Sequence, residues 1–362
     1  MPKSVSISKI DGKPGKVYYP LSLKEVPKPS PKDGEVLVKI HAAALNHRDL
    51  FIRQHLYPAI SFSAPLLADG CGTVVEVGRG ASSTWEGKRV VINPGEGWRD
   101  SLEGPEDKGG YRILGGTKTI PNGTLQEYMV VKESELEEAP AHLDNIEAAA
   151  VPLTGLTAWR AVMVKCGPHN IGPGKNVLVT GIGGGVALMA LEFARAAGAN
   201  VYVTSGSEEK IAKARELGAR GGVNYKDEGW DKKLLGMLTT EKKQFDAIVD
   251  GAGSDIVEKG ARLLKAGGII AVYGMTTGPK APFFMQAVLK NIEVKGSTMG
   301  SRKEFTDMID FIRRTKAKPV ISSVARGLDV DAINGLFEEM KKGSQFGKLV
   351  VEVSKASNQS KL

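Results

Sequence analysis

The residues whose types and spacing could do chemistry are the glycines of the turn 181–185, GIGGG, together with Ser205, Ser207 and Lys210 further on. Glycines at a turn let the backbone approach a pyrophosphate where any Cβ would obstruct it, and a helix starting there aims its first amides at the phosphate. The flanks supply that context. The β-branched run 177–180, VLVT, precedes the turn. Val186, Met189, Ala190, Phe193, Ala194 and Ala197 recur behind it at helical spacing, giving an apolar face to lie on a parallel sheet. Strand, glycine turn, helix and second strand together predict a dinucleotide site, which a glycine string alone would not. A site that prefers NAD usually ends its second strand with an acid on the ribose hydroxyls. Here strand 201–203 runs into TSGS, and Lys210 stands one turn into the next helix. Hydroxyls and a cation receive a 2′-phosphate that a carboxylate would repel, so NADP(H) is the expected cofactor. A plainer reading stays open: Ser205 with Glu208 forms a capping box, and Lys210 is a solvated helix residue.

The elements that must position these groups divide the chain unevenly. Residues 1–153 are short strands broken by Gly and Pro, as in GEVLVKIHAAALN, GTVVEVG and GTLQEYMVV, and read as an irregular antiparallel β-barrel. Residues 154–301 alternate strand and helix, the signature of a doubly wound parallel sheet. Residues 302–362 add two helices and two strands that complete the first domain. The expected class is α/β, a Rossmann doubly wound parallel sheet inserted in a β-rich domain. Residues 94–122 are a long polar, glycine-rich excursion, read as a surface lobe.

Composition bounds the function. With 362 residues, 41% hydrophobic and 25% charged, the chain has enough material for two domains with separate cores. No apolar run approaches the roughly 20 residues of a spanning helix, and the N-terminus lacks the apolar stretch of a secretory signal, so no membrane partner is expected. Two cysteines, Cys71 and Cys166, cannot staple a chain of this size and read as packed thiols of a reducing compartment. The net charge of +8 is spread among few aromatics, which argues against nucleic acid and suits an anionic cofactor or substrate. The chain ends Ser360, Lys361, Leu362 on a polar tail, the tripeptide read by the peroxisomal import receptor. A peroxisomal location is expected, unless the tail packs away.

ALNHRDLFIR, GCGTVVEVGRG, GTLQEYMVV, AAAVPLTGLTAW and FGKLVVEV occur in one order over residues 22–353. In that order the chain resembles the medium-chain dehydrogenase/reductase superfamily, whose β-rich part is the chaperonin-10-like domain of alcohol dehydrogenases. In the zinc enzymes of that superfamily the catalytic ligands are a Cys, a His and a Cys; by motif these fall here on Asn46, Ala68 and Leu153. None is a usual zinc ligand. The four cysteines of the second, structural zinc are likewise missing from the excursion, and no metal is expected.

The pattern around Asn46 resembles the zinc-less quinone oxidoreductases and enoyl reductases, in which NADPH passes hydride to a quinone or to an α,β-unsaturated carbonyl. The resemblance implies Asn46 and Thr154 beside the nicotinamide and Tyr57, in IRQHLYP, in the acceptor cleft, although His55 replaces a glycine of the motif. Tyr57 is a candidate proton donor or an ordinary half-buried tyrosine. Arg48 is a weaker catalytic candidate that also reads as an exposed charge. The cofactor contacts implied are Gly181, Gly184, Gly185 and Val186 of the turn, with a GxxGxxA spacing, then Tyr225, Gly251, Tyr273, Gly274 and Lys348. Lys348 is alternatively an edge-strand lysine. The segment IEVKGSTMG resembles the strand through which relatives dimerise, so a homodimer is expected. Three activities remain open: a quinone or enone reductase, a peroxisomal enoyl-thioester reductase, and an NADPH-binding protein without turnover.

Overall fold

The apolar runs of the middle of the chain become parallel strands because both sheet faces are covered and a continuous hydrophobic strand is tolerated there. The computed structural model describes residues 1–239, 243–275 and 282–354; Ser360, Lys361 and Leu362 lie outside the described residues. The chain divides into two units, Met1–Leu153 with Ser301–Leu362, and Thr154–Gly300.

In the second unit six strands lie in the order Gly221–Asn224, Asn200–Ser205, Asn176–Val179, Phe245–Asp250, Leu264–Val272 and Glu293–Gly296. Every pairing is parallel, with Val177 opposite both Val201 and Ala247. Strand order therefore reverses at Asn176–Val179, and a doubly wound sheet opens its crevice at the carboxyl ends of such strands. The core on one face includes Leu178, Tyr202, Leu234, Phe245, Ile248, Leu263 and Ile270. Tyr202 meets Phe245 edge to face, with ring centres 5.5 Å apart, a geometry that adds to area burial.

In the first unit a seven-stranded sheet runs Ile321–Arg326, Lys348–Glu352, Glu35–Ala44, Asp69–Val77, Arg89–Ile92 and Leu136–Glu138, and Tyr128–Lys132 also pairs with Glu35–Ala44. The first pairing is parallel and the others antiparallel. The excursion at 94–122 carries its own hairpin, Gly95–Glu96 with Arg112–Ile113. Trp98 anchors it: the side chain is buried and its carbonyl accepts the Arg302 amide, 2.8 Å, at the start of helix Arg302–Thr315.

Three local expectations are corrected. The strand Lys348–Glu352 lies inside the sheet and Lys348 is 4% exposed, so it is not an edge-strand lysine. Arg48 is buried, not an exposed charge. The cap of helix Glu208–Glu216 is Ser207, whose hydroxyl accepts the Lys210 amide, whereas Ser205 closes strand Asn200–Ser205 and accepts the Ser207 amide at 3.3 Å. No helix among the described residues is long and apolar enough to cross a membrane.

Candidate active site

The glycine turn is held by the ends of three strands. Thr180 donates its hydroxyl to Asp250 at 2.6 Å, the Gly181 amide reaches the Thr204 hydroxyl at 3.3 Å, and the Ile182 amide reaches the Thr204 carbonyl at 2.8 Å. Gly183 turns the chain at φ +124, a conformation closed to most L side chains. Gly184 is the extended N-cap of helix Gly185–Ala196, so the amides of Gly185 and Val186 fall in the first turn, where a helix offers them no intrahelical acceptor. Gly181 and Gly184 have nothing within 4 Å of a built Cβ and are exposed, which leaves an open cradle in front of those amides.

Cations border the cradle. A Cβ on Gly183 would stand 2.9 Å from Lys210 Cδ and 3.4 Å from its Nζ, so the Lys210 side chain lies along the turn. A Cβ on Gly206 would stand 2.9 Å from both the Tyr225 hydroxyl and Lys226 Cε. Ser205, Ser207, Lys210 and Tyr225 are thus gathered at the end of strand Asn200–Ser205, as the sequence placed them, and Lys226 joins them. Burial lowers the Lys210 ammonium somewhat from its usual range, with Glu209 opposing and Lys213 adding to the shift. These groups fit a dinucleotide: amides at a helix start suit a pyrophosphate, with hydroxyls and two ammonium groups at the end of the second strand.

Further along the same sheet edge, the Tyr273 ring lies across Gly251, 2.5 Å from where a Cβ would be, and Gly274 follows it against the Gly251 carbonyl. Burial raises the Tyr273 phenol. Asp250 ends its strand with its carboxylate accepting from Thr180 and from the Gly253 amide, 2.8 Å; burial raises it, against these hydrogen bonds. Thr154, in helix Pro152–Trp159, is buried.

The second constellation lies in the first unit, and sheet register builds it. Ala44 stands opposite Asp69 on one side and Val350 on the other, and the Leu45 amide bonds the Leu349 carbonyl at 2.9 Å. Asn46, Asp69 and Lys348 therefore emerge at one end of three neighbouring strands. Lys348 Nζ donates to the Leu45 carbonyl at 2.8 Å, to Asn46 Oδ1 at 2.6 Å and to Asp69 Oδ2 at 2.8 Å. An ammonium has three hydrogens, and all three are used. Asn46 Nδ2 donates to Asp69 Oδ2 at 3.0 Å, and the Leu153 amide donates to Asp69 Oδ1 at 2.8 Å. Asp69 is fully buried.

A second ion pair abuts the first. Asn46 caps helix His47–Arg53, and Asp49 in its first turn accepts the Asn46 amide at 2.8 Å. Arg48 bonds Asp49 at 3.1 Å and the Gly115 carbonyl at 2.8 Å, with its guanidinium 4.8 Å from the centre of the half-buried Tyr57 ring. Burial pushes the Asp49 carboxyl up to about 6, offset in part by Arg48. The structure thus brings Asn46, Arg48, Tyr57 and Lys348 into one connected cluster. Sequence reasoning missed Asp49, Asp69 and Lys226. Asp49 stands in the first turn of helix His47–Arg53 and Asp69 opens strand Asp69–Val77, so neither had a spacing signal that marked it in the sequence.

The side chains at the three positions matched to zinc ligands are an amide, a methyl group and an isobutyl group, and the two alkyl groups have no lone pair for a metal. Among the described residues no group of three or more His, Cys, Asp or Glu is placed to hold a metal ion. Cys71 and Cys166 are buried, and burial pushes each thiol up to about 12.

Comparison with known proteins places this architecture. The family model described as "Alcohol dehydrogenase GroES-like domain" matches residues 32–141, and that described as "Zinc-binding dehydrogenase" matches residues 185–314. The chain is 52% identical over 360 residues to the zinc-type alcohol dehydrogenase-like protein YogA of Leptosphaeria maculans, covering 98% of this chain and 100% of that one. It is 34% identical to a zinc-type alcohol dehydrogenase-like protein of Schizosaccharomyces pombe, covering 88% and 91% of the two chains. Among solved structures, an NAD-dependent alcohol dehydrogenase superposes with a TM-score of 0.84 at 34% identity, over 98% of this chain and 100% of that one. With a GroES-like unit, a six-stranded parallel sheet and these relatives, the chain belongs to the medium-chain dehydrogenase/reductase superfamily and is an oxidoreductase of its zinc-type alcohol dehydrogenase-like family, built on a fold that binds a nicotinamide cofactor.

Proposed function

We propose that this oxidoreductase uses NADPH, works without zinc, and reduces a quinone or an α,β-unsaturated carbonyl. The observation that carries the reading is the Lys348–Asp69–Asn46 cluster, which includes Asn46, the first position matched to a zinc ligand, and Asp69, which follows the second and accepts the amide of the third, Leu153. Zinc does not fit these side chains, because a catalytic zinc needs three protein donors. Oxidation of an alcohol then lacks the Lewis acid that holds its alkoxide, whereas an electron-poor acceptor needs only modest stabilisation of the negative charge it gains. Lys210 and Lys226 beside Ser205 and Ser207 support NADPH over NADH.

When bound, the reduced nicotinamide supplies the hydride and is oxidised. The protein orients the acceptor, stabilises its developing oxyanion, and delivers a proton from solvent or from the Tyr57 phenol to complete the reduction. Arg48, packed on the Tyr57 ring, fixes that phenol. The tripeptide Ser360, Lys361, Leu362 supports recognition by the peroxisomal import receptor. A homodimer is supported by strand Glu293–Gly296 at the sheet edge and by exposed Met285, Val288 and Leu289 beside it in sequence. A monomeric mass at micromolar concentration would remove the dimer.

The test is consumption of reduced nicotinamide with quinones, enones and enoyl thioesters, NADH being run beside NADPH. Turnover with NADPH supports the proposal, and the best acceptor separates enone from thioester chemistry. NADPH bound without turnover on any acceptor favours a non-catalytic binding protein. A second reading, NAD-linked alcohol oxidation, is favoured by the structural relative at 34% identity, an NAD-dependent alcohol dehydrogenase; turnover of simple alcohols with NAD would establish it instead.

A further inference from the structure

We propose that the buried Lys348 ammonium is the fixed cation of the first unit's active site, a protein-borne replacement for a metal ion, and that it acts on the acceptor oxygen through the Asn46 amide. The inference rests on the reading that the acceptor is a carbonyl or quinone.

Asp69 is the one carboxylate among the described residues bonded directly to this ammonium, and both of its oxygens are committed. Oδ2 accepts from Lys348 and Asn46, and Oδ1 accepts the Leu153 amide. The pair is 4% and 0% exposed, so its charges are screened by protein dipoles and by each other rather than by water. Beyond Asp69 the ammonium donates to the Leu45 carbonyl, at 2.8 Å, and to one side chain, Asn46 Oδ1, at 2.6 Å. A cation at an amide oxygen draws electron density from the amide nitrogen and makes its N–H groups stronger donors. Asn46 Nδ2 gives one hydrogen to Asp69; its second has no partner among the described residues. That hydrogen is the electrophile offered to an oxygen on which negative charge develops. Its orientation is locked twice, by Lys348 at the oxygen end and by Asp69 at the nitrogen end. Lys348 is therefore a positioning and polarising residue, and Asn46 is the group that meets the substrate.

Removing Lys348 alone leaves Asp69 buried and unpaired, so fold and chemistry must be separated. Lys348→Met/Asp69→Asn removes both charges and keeps similar volumes. It should fold and lose about 10- to 100-fold in kcat, less than the roughly 100- to 1,000-fold cost of removing an oxyanion donor outright. Wild-type kcat in this variant overturns the proposal. Lys348→Ala is assayed with ethylammonium chloride against potassium chloride at equal ionic strength. Ethylammonium should raise both the thermal midpoint and kcat, and potassium neither. A recovered midpoint without recovered kcat leaves Lys348 a mere partner of Asp69 and overturns the polarising role. If the wild-type protein itself turns over no acceptor, the reductase reading fails separately. The midpoint then decides the cation claim, which falls if ethylammonium does not raise it.

Discussion

Lys210→Ala tests the cofactor assignment at one side chain. Lys210 lies along the glycine turn, its Nζ 3.4 Å from where a Gly183 Cβ would stand, and it is half-buried. A lysine in contact with a phosphate at the protein surface interacts by about 4 kcal/mol before solvent and entropy are counted. Exposure and side-chain ordering remove most of that, leaving about 1–2 kcal/mol. NADPH affinity should therefore fall roughly 5- to 30-fold, since about 1.4 kcal/mol is a factor of ten. NADH, which lacks the 2′-phosphate, should change by less than about twofold. The assay is titration of each cofactor by nicotinamide fluorescence, repeated at raised salt, where the difference between cofactors should shrink. Lys226→Ala should show the same selectivity with a smaller loss, because that residue is exposed. Equal losses for both cofactors would refute the 2′-phosphate role and return Lys210 to the helix surface.

Other consequences follow from the buried charges. Arg48→Ala leaves Asp49 unpaired and should cost about 3–5 kcal/mol of stability at pH 8. Because burial already raises the folded-state Asp49 carboxyl to about 6, the native state binds a proton more readily than the unfolded chain. That group's penalty is thus full above pH 6 and is relieved as pH falls through the folded value. Denaturant unfolding at pH 5 and pH 8 should show the variant's deficit shrinking at the lower pH, and a deficit independent of pH would contradict the pairing. Tyr57→Phe should lower kcat while sparing NADPH affinity; unchanged kinetics would reduce Tyr57 to a packing partner of Arg48.

What was legible in the sequence was local. The glycine turn, the helix behind it and the hydroxyls after the second strand lie within about one supersecondary unit, where spacing alone fixes proximity. The parallel α/β unit beside a β-rich domain was legible too, through the change from short broken strands to strict alternation, and the resemblance added that the β-rich part is chaperonin-10-like. The Lys348–Asp69 contact was not, because 279 residues separate the partners and only sheet register joins them. Lys348 reads as an edge residue when the final strand is taken as the last of its sheet; the parallel pairing of Ile321–Arg326 covers its other side. Arg48 reads as exposed because nothing local says that Gly115 and Asp49 will receive it. The choice of Ser207 over Ser205 as cap turned on where strand Asn200–Ser205 stopped, a boundary that composition leaves uncertain by a residue or two. Lys226 escaped notice because it reaches Gly206 from the end of another strand.

The central claim is that a lysine does here what a metal does in relatives that bind one, and the most direct measurement joins metal content to turnover. The purified protein is treated with a strong chelator, its zinc is determined by atomic emission, and NADPH-dependent reduction is followed before and after. The account predicts far less than one zinc per chain throughout and undiminished turnover after stripping. One zinc per chain, with activity lost on its removal and restored on its return, would contradict it.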